Sequence, residues 1–245
     1  MKKTAIVFCL FYFGLLGLSS CDTLQGIAKD VMAEPTLDEI SRGLKEALTN
    51  GISKGVDVLS AKDGYYKSAY KILLPPEARK VTDRLKNIPG FDRLEDNLIE
   101  RINRGAEDAA KEAKPIFVSA IRSMTFSDAK NILMGSDNAA TSFLLRTTNQ
   151  QLYDKFNPKI VASLDKVGAN DLWRKATEAY NKIPLISNKI NTDLDDYITK
   201  EALKGLFAKV EDEEKNIRNN KLARSSALLK KVFAKQDSGR TSTGK

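Results

Sequence analysis

Asn103, Arg104 and Glu107 bring an amide, a guanidinium and a carboxylate into about one helical turn, and Asp128 and Arg146 add a second carboxylate and guanidinium further on. If these groups met in one cleft, with the carboxyl pKa values displaced, they could support hydrolysis by carboxylates alone. The same residues have an ordinary reading. Asn103 and Glu107 lie four apart at the border of an apolar helical face, and Arg104 can reach Glu107 or Asp108 in a simple salt bridge. The chain contains no histidine, which removes the commonest general base, the Ser-His-Asp arrangement and the usual zinc ligands. Asn191-Thr192-Asp193-Leu194-Asp195-Asp196 starts like a calcium loop. It then has Asp196 where the sharp turn needs glycine and Ala202 where a bidentate glutamate is needed. No metal site and no cofactor are expected, and a non-catalytic role is favoured over an enzyme.

Cysteine chemistry points elsewhere. Met1-Lys2-Lys3 is a short positive start, Ala5 to Leu18 is apolar, and Leu18-Ser19-Ser20-Cys21 closes the run. A membrane-spanning helix needs about 20 apolar residues, so this run reads as a secretory signal. The closing four residues resemble the lipobox of bacterial lipoproteins. That resemblance implies cleavage before Cys21 and lipid on its sulfur, anchoring the chain to a membrane. Cys9 would leave with the signal, so the mature protein would carry no free thiol. Residues 1–20 are thus expected to be a cleaved signal peptide and 21–35 a lipidated start and tether. The location implied is the periplasmic side of the inner or outer membrane.

The remainder reads as helices. Thr36 with Glu39 forms a capping box, followed by Leu37, Ile40, Leu44, Leu48, Ile52, Val56 and Leu59 at spacings of three and four. Asp63-Gly64 should end that helix. Tyr65 to Leu74 alternates and stops at Pro75-Pro76, predicting one short extended segment. From Leu98 to Met124 an apolar stripe recurs at helical spacing, with a kink or restart expected at Pro115. Thr125 and Asp128 form a second capping box, with Gly135 as a left-handed exit. Asn157-Pro158 should close the next helix, Asn170 or Asp171 should cap another, and Thr192 or Asp193 one more. Trp173 reads as a core anchor. The expected fold is therefore all-α: a single multi-helix bundle over 36–235, with the extended segment near 65–74 and a disordered tail at 236–245.

Charge is uneven. Removing Lys2 and Lys3 takes the formal charge from +8 to +6, and nine Lys/Arg between Lys215 and Lys245 face only Asp237. Lys215, Arg218, Lys221, Arg224, Lys230 and Lys231 are candidate contacts for anionic lipid or an anionic envelope surface. A solvated helix face explains the same pattern. Nucleic acid is not expected, because no aromatic residues interleave the charges.

Several stretches together resemble a known family. They include Gly43-Leu44-Lys45-Glu46-Ala47-Leu48, Asp63-Gly64-Tyr65, Lys71-Ile72-Leu73-Leu74-Pro75, Asn103-Arg104-Gly105-Ala106-Glu107 and Met124-Thr125-Phe126-Ser127-Asp128-Ala129. Ala139-Ala140-Thr141, Asp195-Asp196-Tyr197, Gly205-Leu206-Phe207, Glu213-Glu214-Lys215 with Ile217-Arg218, and Leu228-Leu229-Lys230-Lys231-Val232-Phe233 complete the set. They are similar to the bacterial domain-of-unknown-function family 4197, whose members are mostly secreted or lipid-anchored proteins of Gram-negative bacteria. Gly105 stands where the family typically has alanine, and Lys221 where proline is expected. The resemblance implies an all-helical domain and supplies no catalytic residues. Three roles follow as expectations: a lipid-anchored interaction or structural protein with an envelope partner, a carrier of lipid or another apolar ligand in the bundle, or a histidine-free hydrolase.

Overall fold

The computed structural model describes residues 34–166, 168–184 and 194–241, so the leader, the Cys21 region and the Thr192–Asp193 cap lie outside the described residues. Thr36 opens α1 (Leu37–Ser60) with the expected capping box: its hydroxyl accepts from Glu39 N–H at 3.2 Å, and Glu39 accepts from Thr36 N–H at 2.8 Å. The predicted apolar face of α1 is buried from Ile40 to Leu59, whereas Leu37 is exposed. Gly43, Gly51 and Gly55 let α1 lie close against its neighbours. A Cβ on Gly43 would meet Val232 Cγ2 at 2.8 Å.

Pro75-Pro76 leads into α2 (Pro76–Leu85), where a proline with no N–H costs nothing at the first turn. The long apolar stripe is divided into α3 (Leu94–Ala110) and α4 (Ala113–Arg122). The break falls at Lys111–Glu112, four residues before Pro115, which cannot donate to the Lys111 carbonyl. The second capping box opens α5 (Phe126–Met134), Thr125 and Asp128 exchanging bonds of 2.9 and 3.1 Å. Then come α6 (Ala139–Lys166), α7 (Ala169–Asn181), α8 (Asp195–Asn219), a 3-10 turn (Lys221–Ala223) and α9 (Ala227–Thr241). No strand occurs among the described residues, so the all-α bundle holds. In its centre α8 packs on α6 and α1, and α3 on α6, while α2 and α7 pair beside α3. Phe117 meets Phe207 edge-on at 5.7 Å, and Trp173 is buried as an anchor.

Five expectations need correction. Pro158 does not close a helix: α6 runs through it, because Phe156, Ile160 and Leu164 on either side are buried in one continuous face. Gly135 is extended (φ −80°, ψ −169°) rather than left-handed. Positive φ occurs instead at Gly90 (φ 90°) and Gly168 (φ 67°), and α7 starts directly after Gly168 with no side-chain cap. Asn170 instead bonds Asp165 at 2.8 Å, and Asp171 bonds Arg174 at 2.5 Å. The segment 65–74 is turns and bends through Tyr70, and no regular element follows from Lys71 until α2 begins at Pro76. Its backbone is satisfied by side chains of α3 instead of a partner strand. Finally, α9 continues past residue 235, since Gln236 donates to the Leu133 carbonyl at 2.8 Å and Asp237 binds Arg224 at 2.7 Å.

Candidate functional site

Arg104 and Glu107 of α3 pair, and together with Asn103, which bonds neither of them, they hold the 61–75 loop. Asn103 is buried; it accepts from Ile72 N–H at 2.8 Å and donates to the Ile72 carbonyl at 2.8 Å, replacing the two bonds a strand would supply. Glu107 accepts from Tyr65 N–H at 3.2 Å and Tyr66 N–H at 3.1 Å through one oxygen, and from Arg104 at 2.9 Å through the other. Arg104 also bonds Asp63 at 2.7 Å and lies over the Tyr66 ring. Asp63 has φ 71°. Its ion pair with Arg104 holds that strained turn closed and keeps the Asp63 carboxyl below its ordinary range.

The Tyr65 side chain continues inward and donates from its hydroxyl to the Ala202 carbonyl at 2.8 Å. Burial, reinforced by the Glu107 charge, pushes its pKa up. Gly205 makes room for the ring, since a Cβ there would sit 2.9 Å from Tyr65 Cε1. Every polar atom named here has a structural partner.

Asp128 and Arg146 belong elsewhere. Asp128 is engaged by Thr125, whose hydroxyl and N–H lower its pKa, with Arg146 adding a weaker field. Arg146 is exposed and lies over Phe143. A carboxylate held ionised by its own cap is a poor general acid, and the five residues form no single cleft.

Among the basic candidates, Arg218 and Arg224 are not surface contacts. They are 2% and 3% exposed respectively. Arg218 pairs with Glu214 at 2.8 Å and donates to the carbonyls of Ile132 and Leu133 at 2.8 and 3.2 Å, the C-terminal end of α5. Glu214 accepts from the N–H groups of Ala140 and Thr141 at 2.9 and 2.8 Å, the N-terminal end of α6. Arg224 closes the end of α8 through the carbonyls of Ile217 and Arg218 and is neutralised by Asp237. Each guanidinium binds carbonyls at the negative end of a helix, which is why it is drawn inside. Lys231 binds Glu39 at 2.8 Å. Lys215, Lys221 and Lys230 remain exposed.

A surface that could hold a ligand lies between α6 and α8. It is an open groove of about 730 Å³, lined by Leu145, Leu203 and Phe207 and by the polar side chains of Asn149, Gln150 and Lys204. Tyr153 donates to Asp196 at 2.7 Å across one end, and Lys200 holds the same carboxylate at 2.8 Å. Sequence reasoning missed this groove. Its signal was Thr147-Thr148-Asn149-Gln150-Gln151, an uncharged polar run inside a long helix. No group of three or more metal-ligating side chains occurs among the described residues. None of the described helices is long and apolar enough to cross a membrane.

A family model described as protein of unknown function (DUF4197) matches residues 34–234. The chain belongs to that family. No curated protein and no solved structure matches it. In this DUF4197 chain the stretches that carry the resemblance meet at two places. Asp63-Gly64-Tyr65, Lys71–Pro75, Asn103–Glu107 and Gly205 build the loop clasp, and Ala139-Ala140-Thr141, Glu214 and Arg218 build the helix-end clasp. Of the two departures, Gly105 faces Leu164, where a Cβ would meet Cδ2 at 3.3 Å. Lys221 opens the 3-10 turn.

Proposed function

We propose that this DUF4197 chain is a lipid-anchored, non-catalytic binding protein of the bacterial cell envelope, whose α6–α8 groove receives a segment of a partner protein. The anchor reading rests on the lipobox-like Leu18-Ser19-Ser20-Cys21, which stands a short distance before the family domain begins at residue 34. Fastened there, the domain would work on the periplasmic side of the inner or outer membrane.

The groove carries the binding reading. It is open along two helices, has an apolar floor and is edged by Asn149 and Gln150, whose amides both donate and accept. A peptide backbone presents the matching donors and acceptors, while its side chains would reach Leu145 and Phe207. An acyl chain asks for an enclosed apolar space of several hundred Å³. The buried void beside Leu44, Leu48 and Phe233 offers only about 10 Å³. A hydrolase would need the carboxylates of α3 and α5 to be available, and both are occupied in holding backbone.

Two measurements test this. Intact mass of the membrane-extracted protein should show the leader removed and lipid on Cys21; an unmodified cysteine or a retained leader rejects the anchor. A photocrosslinking amino acid at Leu145 should capture a discrete protein in native envelopes, with capture lost in N149A/Q150A. Crosslinks that are absent, or unchanged in that double variant, reject the groove.

A further inference from the structure

The four most exposed large apolar side chains among the described residues are Leu222 (94%), Phe126 (56%), Leu37 (55%) and Met134 (55%). They are scattered in sequence but gathered by the fold. On α5, Phe126, Lys130 and Met134 fall at i, i+4 and i+8, so they form one exposed stripe beside the face that buries Ala129, Ile132 and Leu133. One short piece of α9 ties the other two to the end of that stripe. Lys231 bonds Glu39, two residues after Leu37; Gln236 bonds the carbonyl of Leu133, the residue before Met134; and Asp237 pairs with Lys221, the residue before Leu222. Residues 231 to 237 of a helix span only about 9 Å. Leu37, Met134 and Leu222 therefore border one corner of the molecule, and exposed Lys130, Lys221 and Lys230 stand around it.

That corner is also where the chain enters the domain. Thr36 follows Cys21 by fifteen residues. Such a length cannot reach beyond about 54 Å even fully extended. A surface held this close to a bilayer meets it at a high effective concentration, so a contact too weak to recruit a free protein can still set its orientation. Apolar side chains ringed by lysines are the composition that seats a helix at an anionic interface.

We propose that the outer face of α5, together with Leu37 and Leu222, rests on the bilayer to which Cys21 fastens the chain. The contact rests on the anchor reading given above. It turns α5 toward lipid and leaves one end of the α6–α8 groove close to the contact, because the groove begins at Asn138, just past the C-terminal end of α5.

The full lipoprotein, extracted from membranes, tests this. Cys21 is acylated in the anchor reading, so M134C or L222C supplies the sole thiol for an environment-sensitive fluorophore. Val58, also exposed, lies near the far end of α1 and gives the control site, V58C. In vesicles of phosphatidylethanolamine and phosphatidylglycerol, the probes at 134 and 222 should shift to the blue. Lipids carrying a doxyl quencher should dim them at least about two-fold more than the probe at 58. Equal quenching at all three sites overturns the proposal. So does a blue shift at 134 and 222 that needs an added envelope protein, which would make the corner a protein contact. Intact mass on the same sample separates the two readings. Lipid on Cys21 without selective quenching rejects this face and leaves the anchor standing, whereas a bare Cys21 rejects both.

Discussion

Glu214 and Arg218, one turn apart on α8, hold the ends of two other helices: the carboxylate takes the first N–H groups of α6, and the guanidinium takes the last carbonyls of α5. Opposite charges thus meet the opposite ends of two helix dipoles across the Gly135–Asn138 turn. Because both side chains are buried, each depends on the other as well as on its backbone partners. R218M should cost about 3–5 kcal/mol, because it leaves the buried Glu214 carboxylate without its cation. E214Q/R218M should lose less than the two single changes combined, by about 0.5–3 kcal/mol. Urea unfolding of the four proteins measures this, and strict additivity would mean that the two residues act separately.

Asn103 supplies both hydrogen bonds of Ile72 from within the core. N103L leaves a buried N–H and C=O unanswered, at about 1–3 kcal/mol each. The loss should be local first. Hydrogen exchange at residues 71–75 should quicken by at least about ten-fold while the amides of α6 and α8 keep their protection. Uniform loss of protection across the bundle would contradict a loop-specific role.

Tyr65 is buried and Tyr70 is held by Asp212; in both, desolvation is the leading cause of a raised pKa. Their unfolded counterparts ionise near pH 10, so above that pH the unfolded chain sheds protons the folded chain retains. Stability should be complete below pH 10 and fall above it. In an absorbance titration these two phenols should stay protonated until the protein unfolds. Y65F should cost about 1 kcal/mol at neutral pH through the lost bond to the Ala202 carbonyl, and G205A should cost more because its methyl meets the ring. Ionisation of every tyrosine in one step near pH 10 with the fold intact would refute the burial argument.

Acid should loosen α9 before the rest. The Lys231 ammonium, helped by Thr36, holds the Glu39 carboxyl at about 2 against an ordinary 4.5, and Arg224 lowers Asp237 in the same direction. A depressed carboxyl stabilises the fold above its unfolded pKa and ceases to do so as pH falls through the folded value. The stabilisation from Glu39 is therefore whole above pH 4.5 and fades toward pH 2. Protection factors along residues 227–237, taken relative to the intrinsic exchange rate at each pH, should fall over that window, and E39Q/D237N should flatten the response. Protection factors along α9 that are no lower at pH 3 than at pH 6 would show that these pairs do not hold it.

Both capping boxes and the buried face of α1 were legible in the sequence, because each depends on groups close together along the chain. A Thr36 hydroxyl meets the Glu39 N–H whatever surrounds the helix. Two prolines show where such reasoning ends. Pro115 interrupts a helix and Pro158 does not, and the difference lies in the packing of Phe156, Ile160 and Leu164. The candidate site divides the same way. The spacing of Asn103, Arg104 and Glu107 was visible, but their use as clasps for Tyr65, Tyr66 and Ile72 was not, since those partners lie 31 to 42 residues away. Arg218 and Arg224 read as members of a basic surface by composition alone. The fold set carbonyl ends of helices beside them, and a guanidinium removed from water stays where such acceptors replace its hydration. Helices and their faces follow from short-range backbone geometry, whereas the direction of each charge was settled only by tertiary packing, which decides where unanswered backbone groups come to lie.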